Sequence, residues 1–556
     1  MVANPDTAAR HSSSSPGTTQ GETPECQLAP ICTEQKATRQ QTQGSSRPAT
    51  PLSRTRSQNG YGCDDEVDSD VSADAGERGR GTPEQDPFEV VWDGGDSDPL
   101  NPRSYSTPRK WMITLIVVSG SFCVTCTSSI YTSTYAQMEA EFGVSRIIAT
   151  LGLSTFVLGL GLGPMLFSPL SEFYGRRPIY LVSWSIFLIW IIPSAVAPNI
   201  ATMIVARFFD GFAGSTFLAV SGGTVGDLFT KEDLQVPMAI FTVAPLVGPT
   251  VGPLLGGFIN YNVDWRWTYY VLLIWVSVVL LCIIFLVPET YHPVLLRRKA
   301  AKIRRETGDD RWVSASEKIQ RSIIGAIGHS LKRPFLLLWF EPMCLNLCIF
   351  TALLLGIMYL FFGAFPLVFG TNHGFNLWQV GLTFLGLGVG SVASLATDPL
   401  WYRVRGRLVA KLEQETGVAG ASEPEFRLLP ALAGGVLVPI GLFIFGWSTF
   451  PWVHWIVPII GSVLFGAGTI LVFTGVFTFL VDAYPLYAAS ALAANSFVRG
   501  TFAAATPLFG NQMYNALGYQ WATSLLAFLT LVMTPFPFIF FYFGKRIRHR
   551  SRFAKR

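Results

Sequence analysis

The chain has 556 residues, of which 50% are hydrophobic, 13% aromatic and only 14% charged. A soluble protein of ordinary composition carries about 25% charged residues, which excludes a water-soluble globular enzyme as the first reading. The formal charge of +4 hides a strong asymmetry along the chain and gives no ground for a nucleic-acid partner.

Residues 1–110 are rich in Ser, Thr, Gly, Pro, Gln and Asp, with 17 acidic and 11 basic residues and no apolar run long enough for a core. They read as a disordered tail. The opening stretch MVANPDTAARHSSSSPGTTQ has no apolar segment, so no cleaved signal peptide is expected and the first span serves as the insertion signal. From Trp111 onward, apolar blocks of about 20 to 28 residues recur, each long enough to cross a ~30 Å hydrocarbon core. Six are expected near 111–133, 147–168, 178–197, 201–226, 237–260 and 267–288. Six more follow near 337–360, 376–398, 430–448, 453–480, 486–512 and 520–543. The predicted fold is therefore an all-α integral membrane protein with twelve transmembrane helices. Its parts are a tail (1–110), an N-terminal bundle (111–288), a basic central loop (289–336), a C-terminal bundle (337–543) and a basic C-terminal tail (544–556).

Arg297 to Arg333 holds 11 basic and 4 acidic residues, and Lys545 to Arg556 holds seven basic and no acidic residues. The alternate short loops are nearly free of positive charge. The positive-inside rule then places both termini and the central loop in the cytoplasm, as an even number of spans requires. Of the eight cysteines, Cys26, Cys32 and Cys63 lie in the tail, and the rest lie in or beside spans. Cys123 and Cys126 have the spacing of a redox or metal pair but sit among apolar residues, where cysteine packs as a small hydrophobe. No metal site or cofactor is expected, and none of the six histidines falls in a span core. No nucleophile elbow or Walker A pattern appears, which argues against a membrane enzyme or an ATP-driven pump.

The two halves repeat one another. Gly159, Gly161 and Gly163 of the second span match Gly386, Gly388 and Gly390 of the eighth, and an acid follows in each, Glu172 and Asp398. The fifth and eleventh spans both place Gly (Gly256, Gly510) three residues and Trp (Trp267, Trp521) fourteen residues after Pro (Pro253, Pro507). Parallel repeats of six spans are the plan of a rocking transporter with a midplane site. The glycine run itself reads as close helix packing through small residues.

Ionisable residues inside spans are functional candidates, since each costs at least about 2.5 kcal/mol at mid-bilayer. Arg207 and Asp210 are three apart on the fourth span and share a helical face. They form either a permanent structural pair or a proton-titrating one. Arg499 lies in the eleventh span with Asn495 one turn earlier. Asp227, Asp482 and Glu341 stand near cytoplasmic helix ends. The expected cavity is greasy, with Asn346, Tyr359, Asn495 and Arg499 as its polar contacts.

These motifs together resemble the major facilitator superfamily, and within it the fungal twelve-span drug:proton antiporters. SPLSEFYGRRP is similar to that family's loop between spans two and three, with Glu172 in the acidic position, Gly175 at the turn and Arg176 and Arg177 as the basic pair. Ser168 departs from the Gly preferred there. RFFDGFAGS (Arg207–Ser215) resembles the span-four motif with its buried Arg. LVGPTVGPLLGG (Leu246–Gly257) resembles the span-five antiporter motif, carrying Gly248, Pro249, Gly252, Pro253, Gly256 and Gly257. VDWRWTYYV, VPETYHPVLLRRKA, EPEFRLLPAL, FLVDAYP and AANSFVRG extend the match over about residues 105–543. The resemblance implies a gate at Glu172, Gly175, Arg176, Arg177 and Asp398, although the arginines also satisfy the positive-inside bias alone. It implies proton coupling through Arg207 and Asp210, and export of small amphipathic compounds by antiport. A polyamine or other cation exporter and a transporter-like sensor are the alternatives. The implied partners are a small-molecule substrate, protons and the lipid bilayer, for a monomer in the plasma membrane or, alternatively, the vacuolar membrane.

Overall fold

The computed structural model describes residues 88–230, 233–318, 323–417, 422–485, 487–549, 551 and 553–554. The tail up to residue 87 lies outside the described residues. The first half begins with a two-residue strand β1 (Glu89–Val90) and continues through α1 (Thr107–Ile130), α2 (Tyr135–Phe142), α3 (Arg146–Tyr174) and α4 (Arg176–Ala195). Next come α5 (Ile200–Leu228), α6 (Gln235–Asn262) and α7 (Arg266–Leu286). The connection to the second half holds α8 (His292–Thr307), β2 (Val313–Ser314), α9 (Ala315–Lys318) and α10 (Ile323–Phe340). The second half then runs through α11 (Pro342–Phe365), α12 (Leu377–Thr383), α13 (Leu385–Leu395), α14 (Asp398–Thr416) and α15 (Leu429–Trp447). It closes with α16 (Ile456–Ala483), α17 (Ala488–Leu517), α18 (Tyr519–Met533) and α19 (Pro535–Arg548).

Eleven described helical segments are long and apolar enough to cross a bilayer, each at a place where a span is expected. The remaining expected span is α17, a helix of 30 residues whose Asn495, Arg499, Asn511 and Gln512 lower its hydropathy. Its neighbours explain why it tolerates them. It packs on α11 of its own half and on α3 of the other, and Asn495 is buried and Arg499 and Asn511 half-buried, while Gln512 is exposed.

Burial sorts the spans by position. In the first and seventh spans 78% of the apolar window is buried, and in the fourth and tenth 61%. The third, fifth, sixth, ninth and twelfth reach only 44%, 44%, 28%, 50% and 39%. The second span is also 61% buried and the eighth 56%, so the first span of each half is the most enclosed. The halves meet along two seams, α3 with α17 on one side and α6 with α12 and α13 on the other. The five described cysteines are free, with Cys123 and Cys126 buried, in keeping with simple packing.

Two segments differ from expectation. The central connection is largely helical, because HPVLLRRKAAKIRRET alternates basic and apolar residues at helical spacing. The segment from Phe88 to Tyr105, assigned to the unstructured tail, is folded onto that connection. β1 pairs in parallel with β2, and Phe88 meets Trp312 edge to face at 5.5 Å. Trp92 meets His292 at 5.8 Å. The Lys299 ammonium, largely buried, donates to Asp98 Oδ2 at 2.9 Å and to the Val91 carbonyl at 3.1 Å, and lies 2.8 Å from Asp93 Oδ2. The signal was present in FEVVWDGGDSDP, whose apolar and aromatic residues are sparse but paired with a partner far along the chain.

Lys299 therefore acts as a pin for this strap. Its hydrogen bond to Asp98 holds that carboxyl below the ordinary value of 3.8, assisted by the Leu100 and Asp93 amides and opposed by burial. Because the folded pKa is lowered, the stabilisation is complete above the unfolded value and is lost as pH falls through the folded one. The strap is expected to hold at neutral pH and to loosen below about pH 4. Lys299→Ala should release it at neutral pH too, at a cost of about 1–3 kcal/mol from the stranded Asp98 carboxylate. Limited proteolysis between residues 88 and 104 measures this, and unchanged cleavage in the variant would contradict it.

Candidate functional site

Both the strap and the central connection lie at one end of the bundles, here called the basic face. The turn Gly175 stands there between α3 and α4 at φ +100°, a conformation that glycine alone adopts without strain. A Cβ at Gly175 would also collide with the carboxylate of Glu289. That carboxylate caps α4, since Glu289 Oε1 accepts from the Arg176 amide at 2.8 Å and Oε2 from the Arg177 amide at 3.3 Å. An acid at a helix N-terminus satisfies orphan amides and the helix dipole together.

The Arg176 side chain turns inward and is buried. Its Nε lies 3.4 Å from Asp227 Oδ2 at the end of α5, and its Nη1 donates to Ser171 Oγ at 2.8 Å. Its guanidinium lies 4.6 Å from the Tyr291 ring centroid. Glu172, half-buried, adds to the negative field around Arg176. His292 Nε2 contacts the Asp227 carbonyl at 2.9 Å, so the strap's partner His292 also touches the cluster. Arg177 instead reaches out to the Ile284 carbonyl at 2.8 Å. Sequence reasoning singled out Gly175, Arg176 and Arg177 but gave Glu289 and Tyr291 no role. Their signal was the VPETYHP stretch, which carried only resemblance.

The second half repeats the device with different residues. Arg427 Nε meets Asp482 Oδ2 at 2.6 Å, joining the start of the ninth span to the end of the tenth, as Arg176 and Asp227 join the third and fourth. Arg548 donates to Glu425 through Nε at 2.7 Å and Nη2 at 2.8 Å, a buried bidentate pair. Glu341 accepts from Tyr484 Oη at 3.1 Å and Ser551 Oγ at 2.6 Å. Asp398, at the start of α14, is half-buried and makes no hydrogen bond or ion pair among the described residues.

Deeper in the first half, Arg207 is fully buried and turned toward the first span. Its Nη2 donates to the carbonyls of Thr127 at 3.0 Å and Ser128 at 3.2 Å, while Nε and Nη1 have no partner among the described residues. Its guanidinium lies against Phe156 at 4.1 Å and Tyr131 at 4.9 Å. Asp210 is also fully buried but points to the third span, where Ser194 Oγ donates to Oδ2 at 3.3 Å and Oδ1 has no partner among the described residues. The two do not form a direct ion pair, because one helical turn sends their side chains to different neighbours.

From Ser128 the chain of contacts crosses to the second half. Ser128 Oγ and Tyr359 Oη lie 3.0 Å apart, joining α1 to α11. Tyr359 is within electrostatic reach of both Arg207 and Arg499. Asn495 donates to Thr351 Oγ1 at 2.7 Å and so ties α17 to α11. Arg499 is half-buried, with its guanidinium 5.1 Å from the Phe477 centroid and 5.5 Å from that of Phe473. Asn346 sits one turn into α11 at the basic face and donates to its own helix, to the Pro342 carbonyl at 2.8 Å. Tyr359, Asn495 and Arg499 thus gather at the centre, and Asn346 stands apart from them.

The proline- and glycine-rich α6 is a packing seam. A Cβ at Gly252 would lie 2.7 Å from the Ile130 amide and 2.8 Å from the Cys126 carbonyl, and Gly248 and Gly256 meet α1 backbone in the same row. Gly257 turns the other way, against the Leu377 carbonyl of α12, so one helix edge seals against each half. Pro249 and Pro253 lie within the helix, where each removes a backbone hydrogen bond and favours curvature. A Gly252→Leu variant is expected to lose most folded protein, read as the monodisperse fraction on size exclusion. An unchanged fraction would show that the seam has slack.

The family model of the Major Facilitator Superfamily matches residues 117–507. The chain is 56% identical to "Efflux pump atB" of Aspergillus terreus over 83% of this chain and 89% of that protein. It is 41% identical to "Probable drug/proton antiporter YHK8" of Saccharomyces cerevisiae, over 84% and 90% of the two chains. Its fold is similar to that of the xylose transporter XylE from E. coli, with a TM-score of 0.55 at 15% identity over 79% of this chain and 98% of that one. The motif resemblance is thereby borne out, and this chain belongs to the Major Facilitator Superfamily, as a membrane transporter and not an enzyme.

Proposed function

We propose that this protein exports small amphipathic organic compounds by proton antiport and alternating access. The observation that carries the reading is the contact line from Arg207 through Ser128 to Tyr359, which couples a buried charged group in one half, one helical turn from Asp210, to the other half. A proton on Asp210 removes the negative charge nearest Arg207. Arg207 then redistributes its donors among the carbonyls of Thr127 and Ser128, and the Ser128–Tyr359 contact between the halves shifts with it. Two states that differ in this way are biased by protons on one side and by substrate on the other, which is the requirement for coupling.

The clusters around Arg176 and Arg427 act as the gate, holding helix ends together when water is excluded and releasing them when the halves rock. Tyr359, Asn495 and Arg499 contact the substrate, with Phe473 and Phe477 receiving its apolar body. The glycine row of α6 keeps the seam tight, so protons do not leak past the substrate. Lysines and arginines crowd the basic face, which orients it and both termini toward the cytoplasm. The chain works as a monomer in the lipid of the plasma membrane. Comparing secreted and retained compounds in cells with and without the full-length chain tests the export reading. Selective retention of amphipathic compounds without the chain is expected, and identical profiles would contradict export.

A further inference from the structure

Arg499 stands out because its charge is unanswered. It lies near the middle of α17, half-buried, and makes no hydrogen bond or ion pair among the described residues. The ionisable groups within its electrostatic reach are Tyr359 and Cys348, neither of which is an acid at neutral pH. Asp210, Glu341 and Glu425, three buried acids of the bundles, are engaged by other groups. Asp210 takes Ser194, Glu341 takes Tyr484 and Ser551, and Glu425 takes Arg548. The contacts of Arg499 are the aromatic faces of Phe473 and Phe477. On the far side of Tyr359, Arg207 has two guanidinium nitrogens that are buried and unpartnered. Among the described residues, the centre therefore holds two guanidiniums against one carboxylate, and that carboxylate is turned to Ser194.

We propose that Arg499 reads the charge of the substrate, and that the exported compounds are amphipathic organic carboxylates. A carboxylate accepts two parallel hydrogen bonds from a guanidinium, and its apolar body lies along Phe473 and Phe477. Tyr359, within electrostatic reach of Arg499, supplies a further hydroxyl donor once released from Ser128. A polyamine meets two fixed positive charges and is rejected. This proposal rests on the export reading and sharpens it to one chemical class.

The test uses the purified full-length chain and three radiolabelled probes sharing a naphthalene body: naphthalene-2-acetate, its primary amide and the corresponding naphthylethylammonium. Scintillation proximity binding at pH 7.5 should favour the carboxylate over the amide by at least roughly tenfold, with the ammonium weakest. Arg499→Gln should bind carboxylate and amide alike, while Arg499→Lys, which keeps the charge but loses the fork, retains part of the preference. If Gln destabilises the chain, the Lys variant still reports, because a purely structural role predicts an unaltered ratio. An unchanged preference in Arg499→Gln, a wild type that prefers the ammonium, or no carboxylate binding would each overturn the proposal. Binding of neutral or cationic probes alone would leave export standing and remove only the anion.

Discussion

Arg176→Ala is expected to reduce transport to less than a tenth of wild type while leaving the chain inserted in the membrane. Arg176 is the hub of the basic-face cluster, touching Asp227, Ser171 and Tyr291 and sending its own amide to Glu289. Removing one partner of a buried ion pair costs about 3–5 kcal/mol, because the other charge stays buried without compensation. A conformational equilibrium biased by that amount moves more than ~100-fold, enough to trap the protein in one state. Asp227→Asn added to Arg176→Ala should recover part of the loss, since the stranded charge is gone. Flux per molecule of membrane-inserted protein measures both, and a wild-type rate in Arg176→Ala would reduce the cluster to a topology signal.

Asp210→Asn should leave substrate exchange intact and abolish its acceleration by a pH gradient. The change is nearly isosteric and keeps a group able to accept from Ser194, so the contact between α4 and α5 survives. What it removes is a proton-binding group behind Arg207. Arg207→Ala should be more damaging, because it takes away the donor to Thr127 and Ser128 and leaves Asp210 as an unbalanced buried charge. The informative comparison is substrate counterflow, which needs only alternating access, against gradient-driven flux. If Asp210→Asn keeps full gradient acceleration, Asp210 is structural and the proton site lies elsewhere.

Much of this arrangement was legible because hydrocarbon leaves few choices. Twelve apolar blocks give twelve spans, since a lipid-exposed backbone satisfies its own hydrogen bonds only as a helix or a closed barrel. The repeat of Gly and Pro positions located the seams, because close backbone approach excludes side chains. Individual partners were not legible. Nothing local to Glu289 says that it caps a helix beginning 113 residues earlier. Arg207 and Asp210 share a helical face by spacing, yet the long Arg207 side chain reaches Thr127 on the first span while the short Asp210 meets Ser194 on the third. The folded strap was missed for a similar reason. A two-residue strand has no periodicity to read, and its partner β2 lies more than 200 residues away.

Proton-coupled export shows itself in gradient-driven flux. Full-length protein is reconstituted into vesicles of known orientation and supplied, on the basic-face side, with a compound identified by the cell comparison. A pH gradient, acid on the opposite side, is then imposed. The compound is expected to move toward the acid side several-fold faster than without the gradient, and reversing the gradient should slow it. Flux that is the same with the gradient present, absent or reversed would contradict it.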